Sequence, residues 1–172
     1  FAALMNDGSV VSWGNSTAGD TATWNGYVSG VQDQLNSGVV DIVAFSDSFA
    51  ALKDDGSVVT WGYGVSDPSY PFPGISSGAI KIKNTYSAFA ALKSDGSVVA
   101  WGSFAGGDTS SVASEISSGV VDIFSNGWAF AALKDDGSVV TWGAPPGSPP
   151  VDQGGDSSSV QSDLQSGVID IA

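Results

Sequence analysis

Fourteen residues, Phe-Ala-Ala-Leu-Lys-Asp-Asp-Gly-Ser-Val-Val-Thr-Trp-Gly, stand at positions 49–62 and recur unchanged at 130–143. Residues 89–102 read FAALKSDGSVVAWG and residues 1–14 read FAALMNDGSVVSWG. A second module follows the same rhythm: LNSGVVDI at 35–42, ISSGAIKI at 75–82, ISSGVVDI at 116–123 and LQSGVIDI at 164–171. Six residues separate the first three of these from the next Phe, whereas the spacers after each Trp-Gly run to 20, 12, 13 and 20 residues. A chain built this way consists of four tandem repeats, 1–48, 49–88, 89–129 and 130–172, each a constant unit plus a variable loop.

The first module reads as a β-hairpin. Phe-Ala-Ala-Leu-Lys alternates along one strand, Val58, Val59, Thr60 and Trp61 favour another, and Asp-Gly between them is a turn signal with Gly56 in the left-handed region. Gly8, Gly96 and Gly137 hold the same place in the other copies. In the second module Val39, Val40, Asp41 and Ile42 form a short, mostly apolar run after Ser-Gly, which predicts a buried strand. Residues 43–48 are expected to be a joint that returns the chain antiparallel into the hairpin. Three strands per repeat follow, with a fourth in the spacer as the alternative. Units of this size and content match propeller blades, and a sheet so small needs neighbours to cover its faces. The fold class is therefore all-β: tandem blades of three- to four-stranded antiparallel sheet, in a propeller or an open repeat array. Trp13, Trp61, Trp101 and Trp142 share one repeat position and are expected to anchor the core, with sugar stacking as the alternative. Trp24, beside Asn25, Gly26 and Tyr27, and Trp128 fall outside it, and Trp24 is the better candidate for an exposed contact.

Charge excludes whole classes of partner. Of 18 acidic residues 17 are Asp, Glu115 being the exception, against Lys53, Lys81, Lys83, Lys93 and Lys134 and no Arg, for a net charge of −13. Phosphate backbones are bound by cations, so nucleic acid is not a partner. Anionic membrane surfaces are disfavoured by the same sign, and no apolar run is long enough to insert into a bilayer. With no cysteine, disulfides and thiolate metal sites are absent, and packing alone must hold the fold.

Residues 120–143, VVDIFSNGWAFAALKDDGSVVTWG, resemble the repeat of the regulator-of-chromosome-condensation type, a β-propeller family with a comparable Ala-Leu strand, Asp-Gly turn and Trp-Gly ending. The resemblance implies RCC1-like blades. It departs in two places: no Asn-x-x-Gly-Gln-Leu-Gly stretch follows Trp-Gly, and no His precedes the Ala-Leu strand. The exchange and chromatin roles of that family are accordingly not carried over. The wording is closer to the divergent copies in large repetitive bacterial surface and haemagglutinin-like proteins. This likeness implies an exported structural or adhesive role, at the cell surface or outside it.

Without His or Cys the usual nucleophile and base pairs cannot be assembled, and most Asp residues sit at turn or strand positions, so no catalytic and no cofactor-binding residue is assigned and enzyme activity is not expected. Calcium is the one ion the composition invites, through Asp54-Asp55, Asp135-Asp136 and the 152–156 loop. Asp before Gly builds turns by its own side-chain hydrogen bonding, which is the weightier reading, so no metal ligand is assigned. Residues 15–17, Asn-Ser-Thr, match a glycan acceptor, a pattern that arises readily by chance. Spacers 63–74 and 144–163, rich in Pro, Gly and Ser, are expected to be exposed loops that either connect inertly or display binding specificity for a protein or carbohydrate.

The chain starts inside a repeat, without an initiator Met, and is expected to be a window of a longer polypeptide. Its terminal segments are complementary, a hairpin at one end and a strand that should precede a hairpin at the other. They are expected to pair with copies of the same chain or with adjacent repeats. The combined expectation is a non-catalytic repeat segment of an exported surface protein or filament, with a soluble loop-binding propeller as the alternative.

Overall fold

The computed structural model describes residues 1–13, 31–45, 48–62, 72, 74–102, 106–144 and 155–172. Three of the four hairpins are joined by the second module that precedes them into a three-stranded antiparallel sheet whose first strand is that module. β1 (Ala2–Leu4) and β2 (Val10–Ser12) pair alone among the described residues. β3 (Val39–Phe45), β4 (Ser48–Lys53) and β5 (Val58–Gly62) form the next sheet, then β6 (Ala79–Asn84), β7 (Ala88–Lys93) and β8 (Val98–Gly102), and finally β9 (Val120–Ser125), β10 (Ala129–Lys134) and β11 (Val139–Gly143). In every complete sheet the Phe-Ala-Ala-Leu strand is central. That position explains its composition, since β4 and β7 bury both faces and small Ala side chains let neighbouring layers approach closely. The chain divides into two compact units, residues 1–80 and 81–172.

The hairpin turn is the same in all copies. Lys53 N–H donates to Ser57 O and Gly56 N–H to Lys53 O, both at 2.9 Å. This is a type I turn closed by a glycine bulge, and Gly56 has φ +75°. Met5, Lys93 and Lys134 repeat these bonds with Gly8, Gly96 and Gly137.

Two expectations need correction. The joint at residues 43–48 is mostly strand, because Ile42, Val43, Ala44 and Phe45 continue the ladder with Ala51, Ala50, Phe49 and Ser48. The Val-Val-Asp-Ile run is also only half buried: Val39 is in the core, yet Val40 is exposed. Register slips between Val39 and Asp41, which leaves Val40 as the extra residue of a β-bulge. The bulge lets Val39 and Ile42, three positions apart, face the same core. The same slip sets Val121 outward while Val120 and Ile123 are buried.

Candidate interaction surfaces and the repeat joint

Each hairpin carries two different faces. In the second unit one core is built from Ala88, Ala90, Leu92 and Val98 on β7 and β8 with Ala100 against them, Val112 from the spacer, Ile116 from the start of the second module, and Val120, Ile123, Phe130, Ala132, Val140 and Trp142 on the next sheet. The first unit repeats most of this arrangement: Ala2 and Val10, with Val31 and Leu35, meet Val39, Ile42, Phe49, Ala51, Val59 and Trp61, while Leu4, at the place of Leu92, is exposed. A sheet therefore presents a leading face, with Ala90, Leu92 and Val98 as the example. It also presents a trailing face, exemplified by Phe130, Ala132, Val140 and Trp142. Phe and Trp stand directly opposite each other on adjacent strands and stack, with centroids 5.1 Å apart for Phe49 and Trp61 and 5.2 Å for Phe130 and Trp142. Such a pair contributes about 0.5–1.5 kcal/mol beyond its buried area. The Trp142 indole N–H also donates to Gly106 O at 3.0 Å.

Backbone groups stitch the faces together. Val39 N–H donates to Gly8 O, Ala79 N–H to Gly56 O and Val120 N–H to Gly96 O, at 2.9–3.0 Å. Val58 and Val98 donate to Ile75 O and Ile116 O, while Asp54 and Asp135 donate to Gly38 O and Gly119 O. The turn glycine thus lies on the Ser-Gly of the next module so closely that a Cβ at Gly56 would stand 2.5 Å from Gly78 N. Lys53 and Lys134 add a side-chain bond of 3.0 Å each to Gln34 O and Glu115 O.

The recurring Asp residues are absorbed by the turns. Asp7, Asp95 and Asp136 each accept the hydroxyl and the backbone N–H of the Ser two residues on. Those bonds favour the ionised carboxylate and hold the pKa of all three, and of Asp55 beside Ser57, below the ordinary value, with Asp95 lowered to about 2. Asp108 and Asp156 are lowered in the same way by Ser110 and Ser158. Among the described residues no three acidic, His or Cys side chains converge as a metal-ion group, and Asp152 lies outside the described residues.

The tryptophans divide. Trp61, Trp101 and Trp142 are buried as expected, but Trp13, on the trailing face of the β1–β2 pair, is 52% exposed. Trp24, residues 15–17 and most of the two Pro-rich spacers lie outside the described residues. Sequence reading missed a contact at Trp128, whose ring lies 4.5 Å from that of Tyr86, itself 48% exposed. Gly127 sits against the same Tyr86 ring. The two aromatics are 42 positions apart, close to one repeat, and only that period could have linked them. Lys81 reaches Asp122 at 2.5 Å, also across one repeat, and lies 5.7 Å over the Phe124 ring. A groove of about 290 Å³ opens on the leading face of the last sheet, lined by Ala131, Val139, Thr141, Leu164 and Ile171. Among the described residues no helix is long and apolar enough to cross a membrane.

Neither a protein-family model nor a curated protein matches the sequence. Solved structures do. The entire ectodomain of the Physcomitrella patens receptor kinase CR4 is similar over 82% of this chain and 35% of its own, at 15% identity and a TM-score of 0.50. The CRINKLY WD40 ectodomain of the Arabidopsis thaliana receptor kinase ACR4 (19% identity, 63% of this chain, 39% of that one) has a TM-score of 0.45. Prp20p of Saccharomyces cerevisiae (15%, 78% and 41%) scores 0.46. The chain spans about two fifths of the length of these proteins. The likeness is one of fold: small antiparallel sheets in tandem, as in β-propellers.

Proposed function

We propose that the chain is non-catalytic building material: a repeat segment of an exported bacterial surface protein or extracellular filament, structural or adhesive in role. The two-faced sheet carries this reading. Its recurrent side chains are taken up in packing one repeat on the next and in closing the turns, so the constant part of each repeat builds the array and leaves recognition to the variable spacers. The Asp-rich, Cys-free composition supports an exported location. Cell fractionation of the source organism tests the reading: the polypeptide carrying these repeats is expected in the surface or secreted fraction, and recovery from the cytosol alone refutes it.

A second reading, a propeller that binds a protein or carbohydrate through its loops, is favoured by the half-exposed Tyr86 packed on Trp128. An aromatic face of this kind suits an apolar side chain or a pyranose ring. Its test is a glycan and peptide binding screen with Trp128→Ala as the comparison. Binding that the substitution does not change refutes the aromatic contact.

A further inference from the structure

Each hairpin turn carries an Asp-Gly step: Asp7–Gly8, Asp55–Gly56, Asp95–Gly96 and Asp136–Gly137. Such a step is chemically weak, because glycine has no side chain to shield its nitrogen. In an open chain that nitrogen attacks the Asp side-chain carboxyl carbon. A C–N bond forms, a C–O bond of the protonated carboxyl breaks, and water leaves with the amide proton to give a five-membered imide. Water then reopens the ring. Opening at the main-chain carbonyl frees the α-carboxyl and leaves the chain running through the side chain as isoaspartate. We infer that the four turns are latent isoaspartate sites that the fold holds shut, with the serine after each glycine as the latch.

The folded turn opposes the reaction at the electrophile, at the nucleophile and in the room between them. Ser9 N–H and hydroxyl hold Asp7 Oδ1 at 2.9 and 2.7 Å, Ser97 holds Asp95 at 3.0 and 2.6 Å, and Ser138 holds Asp136 at 2.9 and 2.6 Å. Asp55 is held by Ser57 N–H at 2.9 Å. Each carboxylate is thus tied to the residue beyond the glycine. The same bonds favour the ionised form, which has no hydroxyl to lose. For Asp95, lowering from 3.8 to about 2 cuts the protonated fraction at neutral pH by about 60-fold. The glycine nitrogens are engaged as well, since each N–H donates to the carbonyl three residues back at 2.9–3.0 Å. Rebuilding the turn around a planar ring also needs space. A Cβ at Gly56 would stand 2.5 Å from Gly78 N and one at Gly8 2.9 Å from Gly38 N, while the carbonyls of Gly8, Gly56 and Gly96 each receive an N–H of the next module.

Asn126–Gly127 is the one other step of this type among the described residues, and it is latched by different partners. Asn126 Oδ1 accepts Trp128 N–H and Ala129 N–H, both at 2.8 Å, and the Tyr86 ring lies against Gly127. Isoaspartate adds one carbon to the backbone of a turn whose glycine carbonyl binds the following module, so a single conversion loosens a joint between repeats. The latch suits a material that is not renewed, and it operates wherever the protein resides.

Ageing of the full chain tests the inference. The protein is kept for weeks at neutral pH, folded and in guanidinium chloride, then cleaved after lysine, and isoaspartate is located by electron-transfer fragmentation. Conversion at the four turns is expected to be slower in the folded chain by at least about tenfold. Ser97→Ala should raise folded-state conversion at Asp95 several-fold and leave Asp7, Asp55 and Asp136 unchanged, and Ser97→Thr, which keeps a hydroxyl, should restore the parent rate. Equal rates in the folded and denatured chains overturn the inference, as does a Ser97→Ala chain whose Asp95 converts no faster than the parent's. A rise at all four turns alike traces to unfolding rather than to the lost hydroxyl, and overturns the serine's role as latch.

Discussion

Gly56→Ala and Gly74→Ala form a matched pair that isolates the close approach at the joint. The two glycines have nearly equal backbone angles, φ +75° and +72°, so an Ala side chain at either incurs the same left-handed cost of about 1–2 kcal/mol. They differ in surroundings. A Cβ at Gly74 meets nothing within 4 Å, while at Gly56 it stands 2.5 Å from Gly78 N and 3.1 Å from Ala79 N. Ordinary contact requires the facing backbone to retreat by about 1 Å. That retreat breaks the 3.0 Å bond from Ala79 N–H to Gly56 O, and Ala79 is buried. Loss of a buried backbone bond costs about 1–3 kcal/mol. Gly56→Ala is thus expected to lower stability by about 2–5 kcal/mol and Gly74→Ala by about 1–2 kcal/mol. Equilibrium urea unfolding followed by tryptophan fluorescence measures both midpoints. Equal losses would refute the claim that the glycine is required by the neighbouring turn as well as by its own angle.

Trp142→Ala is expected to cost about 3–5 kcal/mol and Trp13→Ala under about 1.5 kcal/mol in the monomer, because only the first side chain is enclosed; thermal melts at low concentration compare them. The turn carboxylates give an acid limit. Their folded pKa values are depressed, so the stability they confer is fully present above the unfolded value near 3.8 and is lost as pH falls through the folded value, about 2 for Asp95. A carboxyl NMR titration should place the Asp95 midpoint near 2, and a midpoint near 3.8 would show that the Ser97 bonds do not form in solution. Lys81 and Asp122 are each about one third exposed, so a double-mutant cycle should return a coupling of about 0.2–1 kcal/mol that shrinks in salt.

The hairpin is legible from sequence because its turn is decided locally: Asp-Gly-Ser needs only its own side chains and one left-handed residue. The strand of the second module is legible as a strand but not in its orientation. Val40 and Val121 look like core residues in a line of text, and only the partner strand, one residue short, turns them outward. Tertiary pairing also decides the extent of residues 43–48, whose composition allows either loop or strand. The four equivalent tryptophans read alike in sequence although Trp13 differs, because burial depends on which surface lies opposite and not on the residue's own position. The Tyr86–Trp128 contact escapes a sequence reading since neither aromatic belongs to the constant motif.

Sharing one core between two consecutive sheets separates cohesion from covalent continuity. Long stretches of chain join β2 to β3 and β8 to β9, yet both pairs of sheets are already clasped by apolar faces and by the bonds from Val39 N–H to Gly8 O and from Val120 N–H to Gly96 O. A protease that cuts once in either stretch should leave a nicked molecule that stays assembled and melts as one, its fragments parting only in denaturant. A protein built this way can tolerate damage to its connections that would divide an ordinary string of domains.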